Sequence, residues 1–166
     1  MAPVIANNIP YIRNLSYPMD FYKTFRGKRI FGDHKTFRGL LSGGIVGALI
    51  GLLQMLSYSS VSALHSMPQW VNYESPMSIL LGAALGIGAL VGDAAKSFFK
   101  RQVGIKPGGS WVPFDQIDFI VGGLIFSAPF VSFGLRIYLI IFVVIALLHP
   151  VINVAGWLLH LKNKPF

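Results

Sequence analysis

Apolar residues fill four long runs of this chain, and most of its charge is confined to the stretches between them. Leu40 to Leu64 is the first run long enough to cross a bilayer, since a spanning helix needs about 20 residues. Gly43, Gly47 and Gly51 recur there every four residues, which predicts a smooth face that a second helix can approach closely. Met77 to Lys100 is the second run, entered through Pro76, whose missing N–H suits a first helical turn. Gly82 with Gly86, and Gly88 with Gly92, repeat the small-residue spacing, and Gly92 is expected to leave room for a ligand beside Asp93. Ile117 to about Phe133 is the third run, short enough to stand nearly upright or to begin within the headgroup layer. Leu135 to Leu161 is the fourth, where Pro150 predicts a kink and Asn153 follows one turn on. Ahead of them all, Met1 to Ile12 is apolar but too short to span, and it lacks the basic start and cleavage site of a signal peptide. It is expected to be a half-span or what remains of a longer first helix.

Composition agrees with that pattern. The chain of 166 residues is 54% hydrophobic and only 12% charged, with a mean hydropathy of +0.62. Soluble domains carry about 25% charged residues. The expected fold class is therefore all-α: a polytopic integral membrane protein in one domain, residues 1–166, with four transmembrane helices and a short N-terminal segment that would make a fifth. No cysteine is present, so neither a disulfide framework nor a thiolate metal site is available. The four histidines are scattered without ligand spacing, which argues against zinc.

Charge changes the picture twice. A formal net charge of +8 invites a nucleic-acid reading. The basic residues lie between apolar spans rather than on one solvated face, and no nucleic-acid-binding motif is visible, so that class is set aside. Residues 14–39 hold six Lys and Arg, 96–114 hold four and the tail 162–166 holds two, whereas 57–75 hold none. Alternating spans would put those twelve on one side, predicting a cytoplasmic face that also carries the C-terminus.

On this face lies the stretch Gly92 to Asp118, with three of the six carboxylates. An ionisable residue inside a spanning run is costly, so Asp93 reads as functional by default. Successive helical residues turn by about 100°, which places Asp93, Ser97 and Lys100 on one narrow face with Lys96 beside it. Asp115 and Asp118, three apart at the start of the next span, project from neighbouring positions. The bland reading of that pair is helix capping. Convergence with Asp93 would instead demand a divalent cation, and Mg²⁺ takes oxygen ligands of this kind. Lys100, Arg101 and Lys106 suit a triphosphate or a lipid phosphate, although a basic collar is ordinary in membrane helices. Pro107, Gly108 and Gly109 supply a turn with backbone N–H groups useful to phosphates but common in any loop. Upstream, the cluster Gly32-Asp33-His34-Lys35-Thr36-Phe37-Arg38-Gly39 lacks Walker spacing and is a plausible phosphate contact or simply topology-setting charge.

Gly92-Asp93, Ser97, Lys100-Arg101, Ile105-Lys106 and Asp115-x-x-Asp118 together resemble the signature of the phosphatidate cytidylyltransferase-like CDP-alcohol synthases. Three departures are visible: Pro107 follows Lys106 where those enzymes carry Asp, no His stands between the glycines, and Gln116 replaces Arg. These departures, the shortness of the chain, Ala6-Asn7, the cluster with Lys35, Thr36 and Arg38, and Asn153 are similar to the archaeal branch, the CDP-archaeol synthases. That resemblance implies five spans and a CTP-dependent enzyme transferring CMP to the phosphate of an unsaturated archaeal ether lipid (2,3-di-O-geranylgeranylglyceryl phosphate), with release of pyrophosphate. It implies Mg²⁺ on Asp93, Asp115 and Asp118, a catalytic role for these and Lys100, and substrate contacts from Lys35, Thr36, Arg38, Ser97, Arg101, Lys106, Gly108, Gly109 and Asn153. Alternatives are an enzyme acting on ester-linked phosphatidic acid, a small cation transporter using Asp93, and a lipid-binding scaffold. The longer Asp-rich motif of the CDP-alcohol phosphotransferases is absent.

Overall fold

The computed structural model describes residues 15–61, 65, 71–106, 109 and 111–158. A small antiparallel hairpin pairs β1 (Thr24–Phe25) with β2 (Lys28–Arg29). Among the described residues four helices follow: α1 (Phe37–Ser60), α2 (Met77–Gln102), α3 (Phe114–Ser127) and α4 (Leu135–Leu158). Of these, α1, α2 and α4 are long and apolar enough to cross a membrane. The protein is thus a helical membrane protein, as its apolar runs predict. The segment Met1–Ile12, expected to be a partial span, lies outside the described residues.

Helix limits differ from expectation where local chemistry intervenes. The first helix starts at Phe37 rather than Leu40 because Thr36, extended at φ −115° and ψ 152°, caps it and accepts the Gly39 N–H at 3.2 Å. The third run is helical for only 14 residues, about 21 Å at 1.5 Å per residue, against a hydrocarbon core of about 30 Å. Pro129 explains the early end: it has no N–H with which to continue the helical hydrogen-bond ladder. The Ser127 carbonyl then accepts both Phe130 and Val131 N–H groups in a closing turn. Pro150, by contrast, lies inside α4 without ending it.

The central helix is α2, packed between α1 and α3. Backbone meets backbone on both faces. A methyl group at Gly47 would strike the Gly82 carbonyl, and one at Gly92 would strike the Asp118 carbonyl of α3. Gly92 thus serves close helix packing, and it also borders the apolar groove between α2 and α3. Its missing side chain is filled by the neighbouring helix, and this contact sets the height of Asp118 against Asp93. Few large apolar residues are fully covered: Tyr58, Leu81, Ile120 and Val131 are buried, whereas α4 has no buried residue. In a bilayer, where lipid is as apolar as leucine, that outward distribution needs no aqueous core, and close small-residue packing holds the helices instead.

The basic segment before α1 is folded, which the charge pattern did not anticipate. Arg26 and Gly27 both take positive φ, 52° and 73°, as a two-residue turn between twisted strands requires. Asp20, whose side chain is fully buried, accepts the Tyr22, Phe31 and Gly32 N–H groups and pairs with Arg29 at 2.9 Å. The hairpin rests on the end of α2 through Lys28, which donates to the Gln102 carbonyl at 2.7 Å, and through Phe25, whose ring lies tilted at 5.8 Å from that of Phe98.

Candidate active site

The start of α1, the end of α2 and the start of α3 meet at one end of the bundle, and the predicted carboxylates meet with them. Helical spacing puts Asp93, Lys96 and Lys100 on the α2 surface facing this junction. Lys96 stands at its centre. Its ammonium lies 3.1 Å from Asp93 Oδ1, 3.0 Å from Asp115 Oδ1 and 2.7 Å from Asp118 Oδ2. Lys35, delivered by the loop that Asp20 pins, pairs with Asp93 Oδ2. Lys100 lies 3.1 Å from Asp115 Oδ1 and also donates to the Gly109 carbonyl. Three carboxylates and three ammonium groups thus alternate at the membrane end of the bundle, with Asp118 the most enclosed, its side chain 6% exposed.

Two spaces open from this cluster. A polar cavity of about 430 Å³ is lined by Gly32, Lys35, Asp93, Ser97, Lys100 and Arg101, among others. On the other side of Lys96 an apolar groove of about 640 Å³ runs between α2 and α3, lined by Val91, Ala95, Phe99, Ile117, Val121 and Ile125. Lys96 lines both, with Asp93 at its polar side and Asp118 at its apolar side. A third cavity, of about 370 Å³, sits at the opposite end among Leu81, Leu85, Ile120, Leu124, Val131 and Phe133, and no charged side chain lines it. Among the described residues, then, no charged path continues from Asp93 to the far end.

The remaining sequence-predicted residues fall into distinct places. Ser97 lines the polar cavity, and its hydroxyl donates to the Asp93 carbonyl at 2.9 Å. Arg101 also lines it and donates to the Ile105 carbonyl at 2.8 Å. Thr36 serves as the α1 cap, and the Gly109 N–H is taken by the Lys106 carbonyl at 3.0 Å. Lys106 is exposed, and neither it, Arg38 nor Asn153 lines the polar cavity. Asn153 instead bonds His149 at 3.1 Å, whose ring lies 5.0 Å from Phe119, next to Asp118. Gly108 lies outside the described residues. Asp115 is not the cap of α3, a position held by Pro113; it sits in the first turn and accepts the Trp111 N–H.

Lys96 is the residue that sequence reasoning set beside the site rather than in it. Its i,i+3 spacing from Asp93 was the available signal. Asp20 and Arg29 were missed altogether, since nothing in a basic loop marks which carboxylate will be buried. Burial alone would raise the Asp20 carboxyl, but the Arg29 guanidinium and the N–H groups of Gly32, Phe31 and Tyr22 outweigh it and lower it to about 2.

Asp93, Asp115 and Asp118 offer hard oxygen donors, the kind a divalent cation such as Mg²⁺ prefers. Among the described residues no group of three or more such side chains closes directly on a metal-sized point. They close on the Lys96 ammonium instead. The donor set fits a cation at its centre, and that cation is at present part of the chain.

Interleaved Asp and Lys at one end of a helical membrane protein are side chains of the kind that hold phosphates and their counter-cations. The whole chain, residues 1–166, matches the family model described as CarS-like CDP-archaeol synthase, and the chain belongs to that family. It is 36% identical to the CDP-archaeol synthase of Methanospirillum hungatei JF-1, covering 98% of this chain and 97% of the relative. It is 41% identical to that of Methanosarcina mazei, covering 90% of each. A solved structure described as an intramembrane enzyme for archaeal membrane lipid biosynthesis is similar over 92% of this chain and 89% of its own, with TM-score 0.65 and 30% identity.

Proposed function

We propose that this protein transfers CMP from CTP to the phosphate of an unsaturated archaeal ether lipid, giving CDP-archaeol and pyrophosphate. The observation that carries the reading is the pair of spaces meeting at Lys96: a cationic polar cavity on one side and an apolar groove on the other. A nucleoside triphosphate suits the first and an isoprenoid-tailed phosphate the second, so both substrates reach one cluster without the tails leaving the bilayer. Family membership supports the same chemistry.

A lipid phosphate oxygen would form a bond to the α-phosphorus of CTP as the bond to the pyrophosphate oxygen breaks. The acceptor is already an anion, so no side-chain nucleophile is required. Lys100, Lys35 and Arg101 line the polar cavity and would hold the phosphate oxygens, Lys100 being oriented by Asp115 and the Gly109 carbonyl. Fixed donors of this kind stabilise charge as it builds on a leaving group. Asp93, Asp115 and Asp118 would hold Mg²⁺, which when bound supplies charge neutralisation at the phosphates. The apolar lining of the groove would keep water from that side and so protect the transfer from hydrolysis.

The basic end would face the cytoplasm, following the distribution of Lys and Arg. In that orientation α3, continued by residues 128–133, would complete a third crossing and α4 a fourth, leaving the C-terminus on the cytoplasmic side. Purified protein with labelled CTP and Mg²⁺ is expected to label an ether lipid phosphate more readily than phosphatidic acid. Failure to label either acceptor would overturn the enzyme reading, and equal labelling would overturn the ether-lipid preference.

A further inference from the structure

The three carboxylates at the charged end are already neutralised, and by which groups is informative. Asp93, Asp115 and Asp118 face Lys35, Lys96 and Lys100, one ammonium for each carboxylate. Among the described residues only Lys96 touches all three, and its side chain is 14% exposed, so no water shell competes for it on most sides. A divalent cation gripping these oxygens would need the place that the Lys96 ammonium holds.

We propose that Lys96 is an internal counter-cation that keeps a divalent ion from settling on the carboxylates until a nucleotide arrives with it. The proposal rests on reading the site as a nucleoside triphosphate site. Charge supplies the physical reason. Replacing Lys96 by a divalent ion within this enclosed cluster leaves two positive charges in excess, because the displaced ammonium remains tethered to α2 nearby. In a partly buried site such an excess is poorly screened. A triphosphate removes it. Cation and nucleotide therefore bind together, and each strengthens the other by the same factor. The released ammonium has somewhere to go, because Lys96 lines both the polar cavity and the apolar groove and can turn toward their junction. Lys96 is thus a positioning residue, acting through the carboxylates it holds and releases.

The test measures Mn²⁺ affinity by electron paramagnetic resonance on full-length protein in detergent, without nucleotide. Wild type, Lys96→Met, Lys96→Gln and Lys96→Arg are compared, with Asp118→Asn as the control that the ion counted is bound at this cluster. Removing the ammonium is expected to tighten Mn²⁺ binding by about tenfold or more, equivalent to about 1.4 kcal/mol. Lys96→Arg, which keeps the charge, should stay near wild type. Adding a CTP analogue with a methylene bridge between the α and β phosphorus atoms should tighten Mn²⁺ binding more in wild type than in Lys96→Met or Lys96→Gln. Mn²⁺ affinity that is unchanged or weaker in the folded neutral variant would overturn the proposal, and Lys96→Gln serves if Lys96→Met does not fold. Failure of wild type to incorporate CTP would instead count against the proposed activity, a separate measurement that does not alter the Mn²⁺ comparison.

Discussion

The two halves of α2 hold their neighbours by opposite means. Toward its start, Gly82 lets backbone touch backbone at Gly47, and nothing ionised is involved. Toward its end, Asp93, Lys96 and Lys100 reach across to the loop before α1 and to α3 through paired charges. The first arrangement is rigid because it has no side chains to move. The second consists almost wholly of long side chains with more than one possible partner. A site that must exchange its partners for phosphates needs that looseness, and the glycine half limits it by fixing helix separation. Gly92 is where the two regimes meet, since its bare face seats the backbone of Asp118.

Breaking the charged half without touching the glycine half gives the largest expected effect. Asp118→Asn retains nearly the same volume and removes the most enclosed carboxylate. Turnover of labelled CTP is expected to fall by about 10³-fold, the scale for loss of one preorganised electrostatic group. The melting temperature in detergent should move far less. Retained turnover in Asp118→Asn, or in Asp93→Asn, would show that the cluster is structural.

Breaking the junction should damage both halves together. Gly92→Val puts a branched side chain where the Asp118 carbonyl lies. Forcing α3 away from α2 is expected to cost about 1–3 kcal/mol, the usual range for overpacking, and to appear as a lower melting temperature. Turnover should drop as well, because Asp118 then sits too far from Lys96. A variant with normal stability and no turnover would mean that the side chain blocks the groove beside Gly92 rather than parting the helices.

The contrast also explains what could be read without coordinates. Helix positions and the pairing of glycine faces follow from periodicity, which needs no knowledge of distant residues. Asp93, Asp115, Asp118 and Lys100 were legible because charges in or beside spanning runs are costly enough to be noticed. The truncated α3 was not, since Pro129 matters only through where the apolar run would otherwise have ended. Lys96 was underrated for a different reason. A lysine near a helix end has an ordinary explanation, and only the meeting of three separate carboxylates around it removes that explanation. The hairpin before α1 was hidden by its composition, because exposed Tyr17, Tyr22 and Phe25 among basic residues give no strand alternation to detect.

The smallest effect belongs to that hairpin, which touches the charged half from outside. Asp20 pins the loop that delivers Lys35 to Asp93, so Asp20→Asn should loosen Lys35 without removing it. A rise of several-fold in the CTP KM, with kcat nearly unchanged, is expected. The loss of a charged hydrogen-bond acceptor is the cause, an interaction on the order of 1.5–3 kcal/mol before the loop relaxes. The pH dependence has a definite sign. The folded Asp20 carboxyl is lowered to about 2 from its ordinary 3.8. Its contribution to loop stability is therefore complete above about pH 4 and is lost as pH falls from there through about 2. Amide hydrogen exchange at Phe31 and Gly32, corrected for intrinsic rates, should show protection that is constant from pH 7 to 5 and collapses toward pH 2. In Asp20→Asn the protection should be low already at pH 7 and should lack that acid transition. An unchanged KM alongside lost protection would separate the hairpin from the charged cluster, leaving Lys35 positioned by Asp93 alone.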